Sequence, residues 1–135
     1  MVQIITRHDL KKPVIHYASN DFVALRAKST VEEALAFIRM SQTQNTILYF
    51  YVLDDGGKLV GVVQTRRLLT SPLGVSVESI MATRLITIPV AANLMEALEF
   101  FIFYKFLAFP VVAEDGKMLG IIDVNIFPQE MIDME

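Results

Sequence analysis

Residues 54–63 read DDGGKLVGVV, and residues 114–122 read EDGKMLGII. Each copy follows an apolar run rich in β-branched or aromatic residues, turns at acidic residues and glycine, and continues as a second apolar run that contains a glycine. This pattern is typical of a β-hairpin, so the sequence predicts two related hairpins. A glycine within a strand marks a bulge or the close approach of another group, and Gly61 and Gly120 are therefore the first indication of a cleft.

Composition limits the class of protein. The 135 residues are 53% hydrophobic and 20% charged, which fits one compact unit or two small halves that share a core. The net charge of −3 argues against a nucleic-acid partner. The absence of cysteine excludes disulfides and thiol chemistry and fits a cytoplasmic protein. Residues 1–7 lack the features of a secretory signal, and residues 97–113 are too short and too interrupted to span a membrane, so we expect no membrane insertion.

Helix and strand signals occur in two successive rounds. The first round consists of a strand at 22–25, a helix from Thr30 to Met40, strands at 47–53 and 59–63, and a short helix at 65–69 capped by Thr65. The second round consists of a helical turn at 77–81, a strand at 85–88, a helix from Asn93 to Lys105, strands at 109–112 and 118–122, and a last helix at 126–134. Residues 1–20 show little periodicity, and we expect a loose lead-in with one helical turn there.

The two rounds indicate an internal duplication. Gly57 and Gly116 are 59 residues apart, whereas Glu33 and Glu96 are 63 apart, so the first half carries four extra residues between helix and hairpin. A half of about sixty residues buries little core alone, and we expect two halves to pack as one pseudo-symmetric module with two equivalent clefts. The predicted boundaries are a lead-in at 1–20, a first repeat at 21–71 and a second repeat at 75–135.

The sequence resembles a tandem pair of cystathionine-β-synthase (CBS) domains. The resemblance rests on VSVESIM at 75–81, FLAFPVV at 106–112, and the Gly-Lys-apolar-apolar-Gly pattern after each turn. DFVALR at 21–26, the Thr30 helix and the longer first loop are most similar to the CBS region of MgtE-type magnesium transporters. This resemblance implies an α/β fold of two strand-helix-hairpin-helix repeats packed sheet to sheet as a Bateman module.

The resemblance also implies a function. CBS pairs are non-catalytic regulatory modules that dimerise and bind adenine nucleotides such as AMP, ADP or ATP between the repeats, and we expect this chain to signal to an unknown effector protein. The family's nucleotide signature is a glycine, two apolar residues, a Ser or Thr for phosphate, two variable residues and an Asp for the ribose. Residues 61–67 read GVVQTRR and residues 120–126 read GIIDVNI, so both copies depart from it.

These departures make the two clefts unequal. Asp123 would repel a phosphate and Ile126 cannot hydrogen-bond a ribose, so we expect no nucleotide in its usual pose in the second cleft. In the first cleft, Thr65, Arg66 and Arg67 begin a helix and can hold a phosphate; alternatively, Thr65 only caps the helix and the arginines are solvated. The candidate nucleotide-cleft residues are Val23, Leu25, Tyr51, Gln64, Thr65, Arg66, Arg67, Thr87, Phe109, Pro110 and Asp123.

Other chemistries have weaker support. The acidic turn residues Asp54, Asp55, Glu114 and Asp115 can supply oxygen ligands for magnesium, but turn chemistry alone also explains them. No metal site is assigned, and no catalytic constellation is present, so we expect no enzyme. Two alternative functions stay open: a ligand-free dimerisation and interaction module, and a magnesium-sensing piece of a transporter.

An apolar stripe predicts a homodimer. Phe100 and Phe103 lie on the same side of the predicted helix as Glu96 and Glu99, which makes both rings surplus to the core. Phe37 and Met40 occupy the corresponding flank of the first helix. The predicted dimer interface therefore consists of Phe37, Met40, Phe100 and Phe103, and the alternative is a wider core.

Overall fold

The computed structural model describes residues 5–41 and 49–133. The chain divides into two compact units, each with one three-stranded sheet. The first-repeat unit comprises Asp21–Leu85 and Asp115–Met118, and the second-repeat unit comprises Met1–Asn20, Ile86–Glu114 and Leu119–Glu135. The predicted α/β fold with two related strand-helix-hairpin repeats is confirmed, while the exact repeat limits stay a prediction.

The sheet of the first-repeat unit contains β1 (Ala24–Arg26), β2 (Tyr49–Leu53) and β3 (Leu59–Gln64) in that order. β1 runs parallel to β2, and β2 and β3 form the predicted antiparallel hairpin. Residues 42–48 lie outside the described residues. The start of the strand predicted at 47–53 and the four-residue insertion therefore fall outside as well.

Helix α1 (Val31–Met40) begins at the predicted capping box. The Glu33 N–H donates to Thr30 Oγ1 at 3.1 Å, and the Thr30 N–H donates to Glu33 Oε1 at 2.9 Å. Val31 and Ala34 face the apolar core of this unit, in which strand residues such as Phe50 also lie. A short helix, α2 (Thr65–Thr70), follows β3, and a 3₁₀ turn at Val77–Ser79 matches the helical turn predicted there.

The sheet of the second-repeat unit contains β4 (Ile88–Pro89), β5 (Ala108–Val112) and β6 (Met118–Asp123) in that order. The strand predicted at 85–88 is wrong in extent, since only Ile88 and Pro89 pair with β5. Ile86 packs against the core of this unit. The residues before β4 are therefore apolar because they pack on the core, although they do not pair with a neighbouring strand.

Helix α3 (Leu94–Tyr104) begins at the second predicted capping box, in which the Glu96 N–H donates to Asn93 Oδ1 at 2.9 Å.

The single last helix predicted at 126–134 is wrong. A 3₁₀ turn at Val124–Ile126 is separated from α4 (Gln129–Ile132) by Phe127, whose ψ is 137°. Pro128 explains this break, because a proline forces the preceding residue out of the helical region. Met134 lies outside the described residues.

The expectation of a loose N-terminal lead-in is wrong for the described part of residues 1–20. Two 3₁₀ turns, Arg7–Lys11 and Val14–Tyr17, occupy this segment. Ile5, Leu10 and Val14 are 1%, 8% and 0% exposed and belong to the core of the second-repeat unit. Burial of these three apolar side chains holds the segment in place.

The same backbone pairing occurs within each of the two units. Thr30 pairs with Ser76 in the first-repeat unit, and Asn93 pairs with Pro13 in the second-repeat unit. Thr30 and Asn93, like Pro13 and Ser76, are 63 residues apart, which is the offset that relates the two capping boxes. The described residues up to Asn20 therefore belong to the second-repeat unit, and residues 75–85 belong to the first-repeat unit.

Candidate functional site

The first-repeat sheet divides the candidate residues between its two faces. Leu25 pairs with Val52 and Tyr51 pairs with Ala24, so Leu25 and Tyr51 lie on opposite faces. Val23 and Leu25 are 4% and 2% exposed and belong to the core of this unit. Both side chains stabilise the core, and their contribution to ligand binding stays a prediction.

The opposite face brings Tyr51 and Gln64 together. Gln64 pairs with Tyr49, two residues before Tyr51 on the neighbouring strand, so the side chains of Gln64 and Tyr51 lie on the same face. The Tyr51 ring meets the Phe22 ring edge to face with centroids 5.9 Å apart, and the Tyr51 N–H donates to the Val23 carbonyl at 3.1 Å. Tyr51 is therefore held through both its backbone and its ring.

Gln64, Thr65, Arg66 and Arg67 connect β3 to α2. The prediction that Thr65 caps α2 is wrong, because Gln64 occupies the cap position and Thr65 is already the first helical residue. A capping side chain must precede the helix to reach its first amides, and no capping side-chain hydrogen bond to α2 is found in the described parts of the chain. Both arginine side chains are exposed, and neither forms an ion pair with a described residue.

The candidate residues of the second repeat are more deeply enclosed. Phe109 is 0% exposed, and its ring centroid lies 4.8 Å from that of Phe101 and 5.5 Å from that of Phe106. Pro110 is also buried, and Thr87 is half-buried one residue before β4. The Phe109 side chain is thus a central part of the core of this unit.

Asp123 is occupied by a local hydrogen bond. The Asn125 N–H donates to Asp123 Oδ1 at 2.8 Å, so this carboxylate caps the 3₁₀ turn that follows β6. Ile126 packs against the core of the second-repeat unit. The position that holds phosphate in the CBS signature therefore carries an engaged carboxylate here.

The acidic turns follow ordinary turn chemistry. Asp54 Oδ1 accepts the N–H groups of Gly56 and Lys58, both at 2.9 Å, and Asp115 Oδ1 accepts the Lys117 N–H at 3.1 Å. Residues 5–41 and 49–133 contain no group of three or more His, Asp or Glu side chains suited to hold a metal ion. Turn chemistry, the alternative to magnesium ligation that the sequence offered, accounts for Asp54 and Asp115.

The predicted dimer residues differ in exposure. Phe37, Met40 and Phe103 are 52%, 82% and 78% exposed, as a surface role requires. The prediction that Phe100 is surplus to the core is wrong, because Phe100 is half-buried and its ring meets that of Phe109 edge to face at 5.7 Å. The buried side chains of α3 form one stripe of Leu94, Ala97, Leu98 and Phe101. Phe100 and Ile102 pack beside this stripe as half-buried residues, so the core is wider than the stripe alone.

Sequence reasoning missed the equivalence of residues 12–19 with residues 75–82. Val14 and Val77 are both 0% exposed, both start a 3₁₀ turn, and lie 63 residues apart. Extending the 63-residue offset of the capping boxes back to residues 12–19 would have revealed this equivalence.

Comparison with known proteins identifies the family. The CBS domain family matches residues 14–74 and 77–125. Two magnesium transporters named MgtE are similar in sequence. The Thermus thermophilus protein is 34% identical over 106 residues, which cover 78% of this chain and 24% of the transporter. The Enterococcus faecalis protein is 29% identical over 123 residues, which cover 84% of this chain and 27% of the transporter. This chain thus spans about a quarter of the length of these relatives.

Solved structures agree. The cytosolic domain of the Mg²⁺ channel MgtE in complex with ATP has a TM-score of 0.75 and 32% identity, and the match covers 82% of this chain and 45% of that one. The soluble part of a magnesium transporter has a TM-score of 0.79 and 28% identity, and covers 93% of this chain and 48% of that one. Among the described residues, no helix is long and apolar enough to cross a membrane. The resemblance drawn from the sequence is confirmed: the chain belongs to the CBS domain family and carries two CBS domains in tandem.

Proposed function

We propose that the chain is a non-catalytic regulatory module that binds one adenosine nucleotide and passes its binding state to an effector protein. The observation that carries this proposal is the similarity to the MgtE cytosolic domain in complex with ATP, which extends over 82% of this chain. That structure also supports a cytoplasmic location for the proposed function, since it is described as a cytosolic domain.

The first repeat supplies the residues that we assign to the phosphate groups. Arg66 and Arg67 are exposed and form no ion pair with any residue in the described ranges, so both guanidinium groups are available to an anion. Charge-assisted hydrogen bonds from arginine to phosphate are strong and often bidentate. They would replace the Ser or Thr that the family signature uses, at whose position this chain has Gln64.

The second repeat is the weaker candidate. Asp123 places a carboxylate at the phosphate position, and Ile126 offers no hydrogen bond to a ribose. We therefore propose binding at the first repeat alone, with Tyr51, Gln64, Thr65, Arg66 and Arg67 as the principal residues.

Isothermal titration calorimetry with AMP, ADP and ATP, with and without magnesium, tests the proposal. We expect binding heat for at least one nucleotide and a loss of about tenfold in affinity for Arg67→Ala, because a charged hydrogen-bond donor is removed. Arg39→Ala is the matched control, since Arg39 is an exposed arginine on α1 outside the proposed site. The absence of binding heat at millimolar nucleotide would show that the chain does not sense nucleotides.

We also propose that the module functions as a homodimer. Phe37 and Met40 on α1 and Phe103 on α3 expose large apolar side chains that a second copy would bury. Light scattering should report twice the chain mass, and Phe103→Asp should shift the protein toward monomer because it buries a charge at the contact. A monomer at high micromolar concentration would contradict this proposal.

A ligand-free interaction module is the second candidate function. It is favoured by the engaged carboxylate of Asp123 and by Gln64, since both signatures depart from the family pattern. It predicts no nucleotide heat together with a retained dimer. A magnesium-sensing role is favoured by the transporter relatives, and it predicts that magnesium alone raises the melting temperature.

A further inference from the structure

A cavity with a volume of ≈ 490 Å³ lies within the second-repeat unit. It is bounded by the C-terminal end of α3, by residues 105–107 and by the segment from Val124 to Asp133. The Val124 N–H donates to the Leu107 carbonyl at 2.9 Å, which joins the two sides of the cavity. Its size falls within the range of about 300–1,000 Å³ that is usual for small-molecule sites.

The wall of the cavity combines aromatic and aliphatic side chains with polar ones. Phe101 and Phe127 are 1% and 5% exposed, and their rings pack edge to face with centroids 5.7 Å apart. Leu107, by contrast, also lines the cavity and is 49% exposed. The cavity therefore joins a fixed aromatic wall to a more exposed apolar side chain, which suits the hydrocarbon or aromatic part of a ligand.

Its charged groups differ in availability. The Asp133 carboxylate accepts a hydrogen bond from Gln129 Nε2 at 3.0 Å, whereas Lys105 forms no ion pair with the residues that the structure describes. A hydrogen bond from a neutral amide leaves the charge of Asp133 in place, so it is the Lys105 ammonium group, which has no ion-pair partner among the described residues, that would attract an anionic group on the ligand.

The backbone of Lys105 has an unusual conformation. Lys105 ends α3 with φ 58° and ψ 32°, and it is the one non-glycine residue with positive φ in the described parts of the chain. Glycine is the usual residue at this left-handed position. The Lys105 N–H donates to the Phe101 carbonyl at 3.0 Å, a hydrogen bond that glycine would also form. Position 105 therefore carries a lysine side chain at the edge of the cavity although the backbone itself favours glycine.

We propose that this cavity binds a small amphipathic organic anion. The apolar part of the ligand would lie between Phe101, Phe127 and Leu107, and its carboxylate would pair with the Lys105 ammonium group. This site involves none of the residues proposed for the nucleotide, so it stands or falls independently of nucleotide binding.

The first test uses octanoate and the uncharged 1-octanol as probes. Each is titrated against the chain loaded with the fluorescent anion 1-anilinonaphthalene-8-sulfonate, and we expect octanoate to displace the dye. Lys105→Gly suits the left-handed backbone and should weaken octanoate binding about five- to tenfold while leaving 1-octanol unchanged. Lys11→Gln, which removes an exposed positive charge from the same unit outside the cavity, should change neither probe.

The second test introduces a negative charge into the cavity wall. Leu107→Glu places a carboxylate beside the proposed anion and should abolish octanoate binding, whereas Leu69→Glu changes a comparably exposed leucine on α2 and should not. Amide chemical shifts of the unmodified chain on addition of octanoate should change around Lys105, Leu107 and Val124. Equal octanoate affinity in Lys105→Gly and the unmodified chain, binding to Leu107→Glu, or shift changes confined to other residues would overturn the proposal.

Discussion

Gly61 packs against the side chain of Met81 so closely that a Cβ atom at position 61 would lie 2.6 Å from Met81 Cγ. The next residues in each segment, Val62 and Ala82, exchange backbone hydrogen bonds at 3.0 and 2.9 Å. The predicted close approach at this glycine is therefore confirmed, but the approaching group is the chain's own segment and not a ligand. The glycine thus gives no evidence for a cleft.

Gly120 has the equivalent surroundings in the second-repeat unit. A Cβ at position 120 would lie 2.9 Å from the Ser19 carbonyl oxygen, and Ser19 and Ile121 exchange backbone hydrogen bonds. Met81 and Ala82 lie 63 residues after Ala18 and Ser19, which is the offset that relates the two capping boxes. This repetition of a steric requirement is strong evidence that the two halves share one origin and one fold.

Substituting these glycines should destabilise the protein unequally. Gly120→Ala should cost more than Gly61→Ala, with both losses in the range of about 1–3 kcal/mol, because backbone near Gly120 cannot move aside as the Met81 side chain can. Urea denaturation measures both losses. Gly74→Ala is the control, since a Cβ there meets nothing within 4 Å, and it should change the free energy of unfolding little.

A double-mutant cycle tests the contact itself. Met81→Ala removes the atoms that a Cβ at position 61 would meet most closely, so it should reduce the cost of Gly61→Ala. Additive losses in the double variant would show that Gly61 and Met81 are not coupled.

The two capping boxes should contribute similarly to stability. Thr30→Ala and Asn93→Ala each remove the oxygen that accepts a first-turn amide, at 3.1 and 2.9 Å, and each should cost about 1 kcal/mol. Thr83→Ala, at an exposed threonine outside any helix, should have a negligible effect. Thermal denaturation of the three variants provides the comparison, and an unchanged melting temperature for either cap variant would argue against the assigned cap.

The N-terminal segment should be required for the stability of the second-repeat core. Leu10→Ala should cost about 2–4 kcal/mol, because Leu10 is 8% exposed within that core. Leu69→Ala should cost less than about 0.5 kcal/mol, because Leu69 is 66% exposed. Equal losses in chemical denaturation would mean that residues 5–17 are not a structural part of the fold.

Acid should weaken the N-terminal turn. Lys12 Nζ lies 2.7 Å from Asp9 Oδ1, and this contact, with the Thr6 N–H donor, lowers the pKa of Asp9 from 3.8 to about 2. Because the folded-state pKa is depressed, the stabilisation is complete above pH 4 and is lost as the pH falls toward 2. The melting temperatures of the unmodified chain and Asp9→Asn should therefore converge between pH 5 and pH 2. A gap that is constant with pH would contradict this assignment.

Local signals in the sequence predict most of the elements because the causes are local. Both hairpins have acidic and glycine residues at their turns. Both long helices begin at a capping box, formed by Thr30 with Glu33 and by Asn93 with Glu96. The family resemblance follows from the order of these elements. These parts of the fold require no knowledge of distant contacts.

The errors arise where a distant contact or one backbone angle decides the outcome. β4 is short because only two of its residues pair with β5. Pro128 divides the last predicted helix because it forces Phe127 into an extended conformation. Phe100 joins the core because Phe109 comes beside it from another part of the chain. The cavity at Lys105 depends on packing between α3 and the C-terminal segment, which no sequence periodicity reports.

The stoichiometry of ATP binding tests the central claim most directly. Calorimetric titration of the purified chain with ATP should give one nucleotide per chain, because Arg66 and Arg67 are available in the first repeat while Asp123 and Ile126 disfavour the second. Arg67→Ala should weaken that single event without changing its stoichiometry. Two sites per chain, or no binding heat at millimolar ATP, would contradict the account.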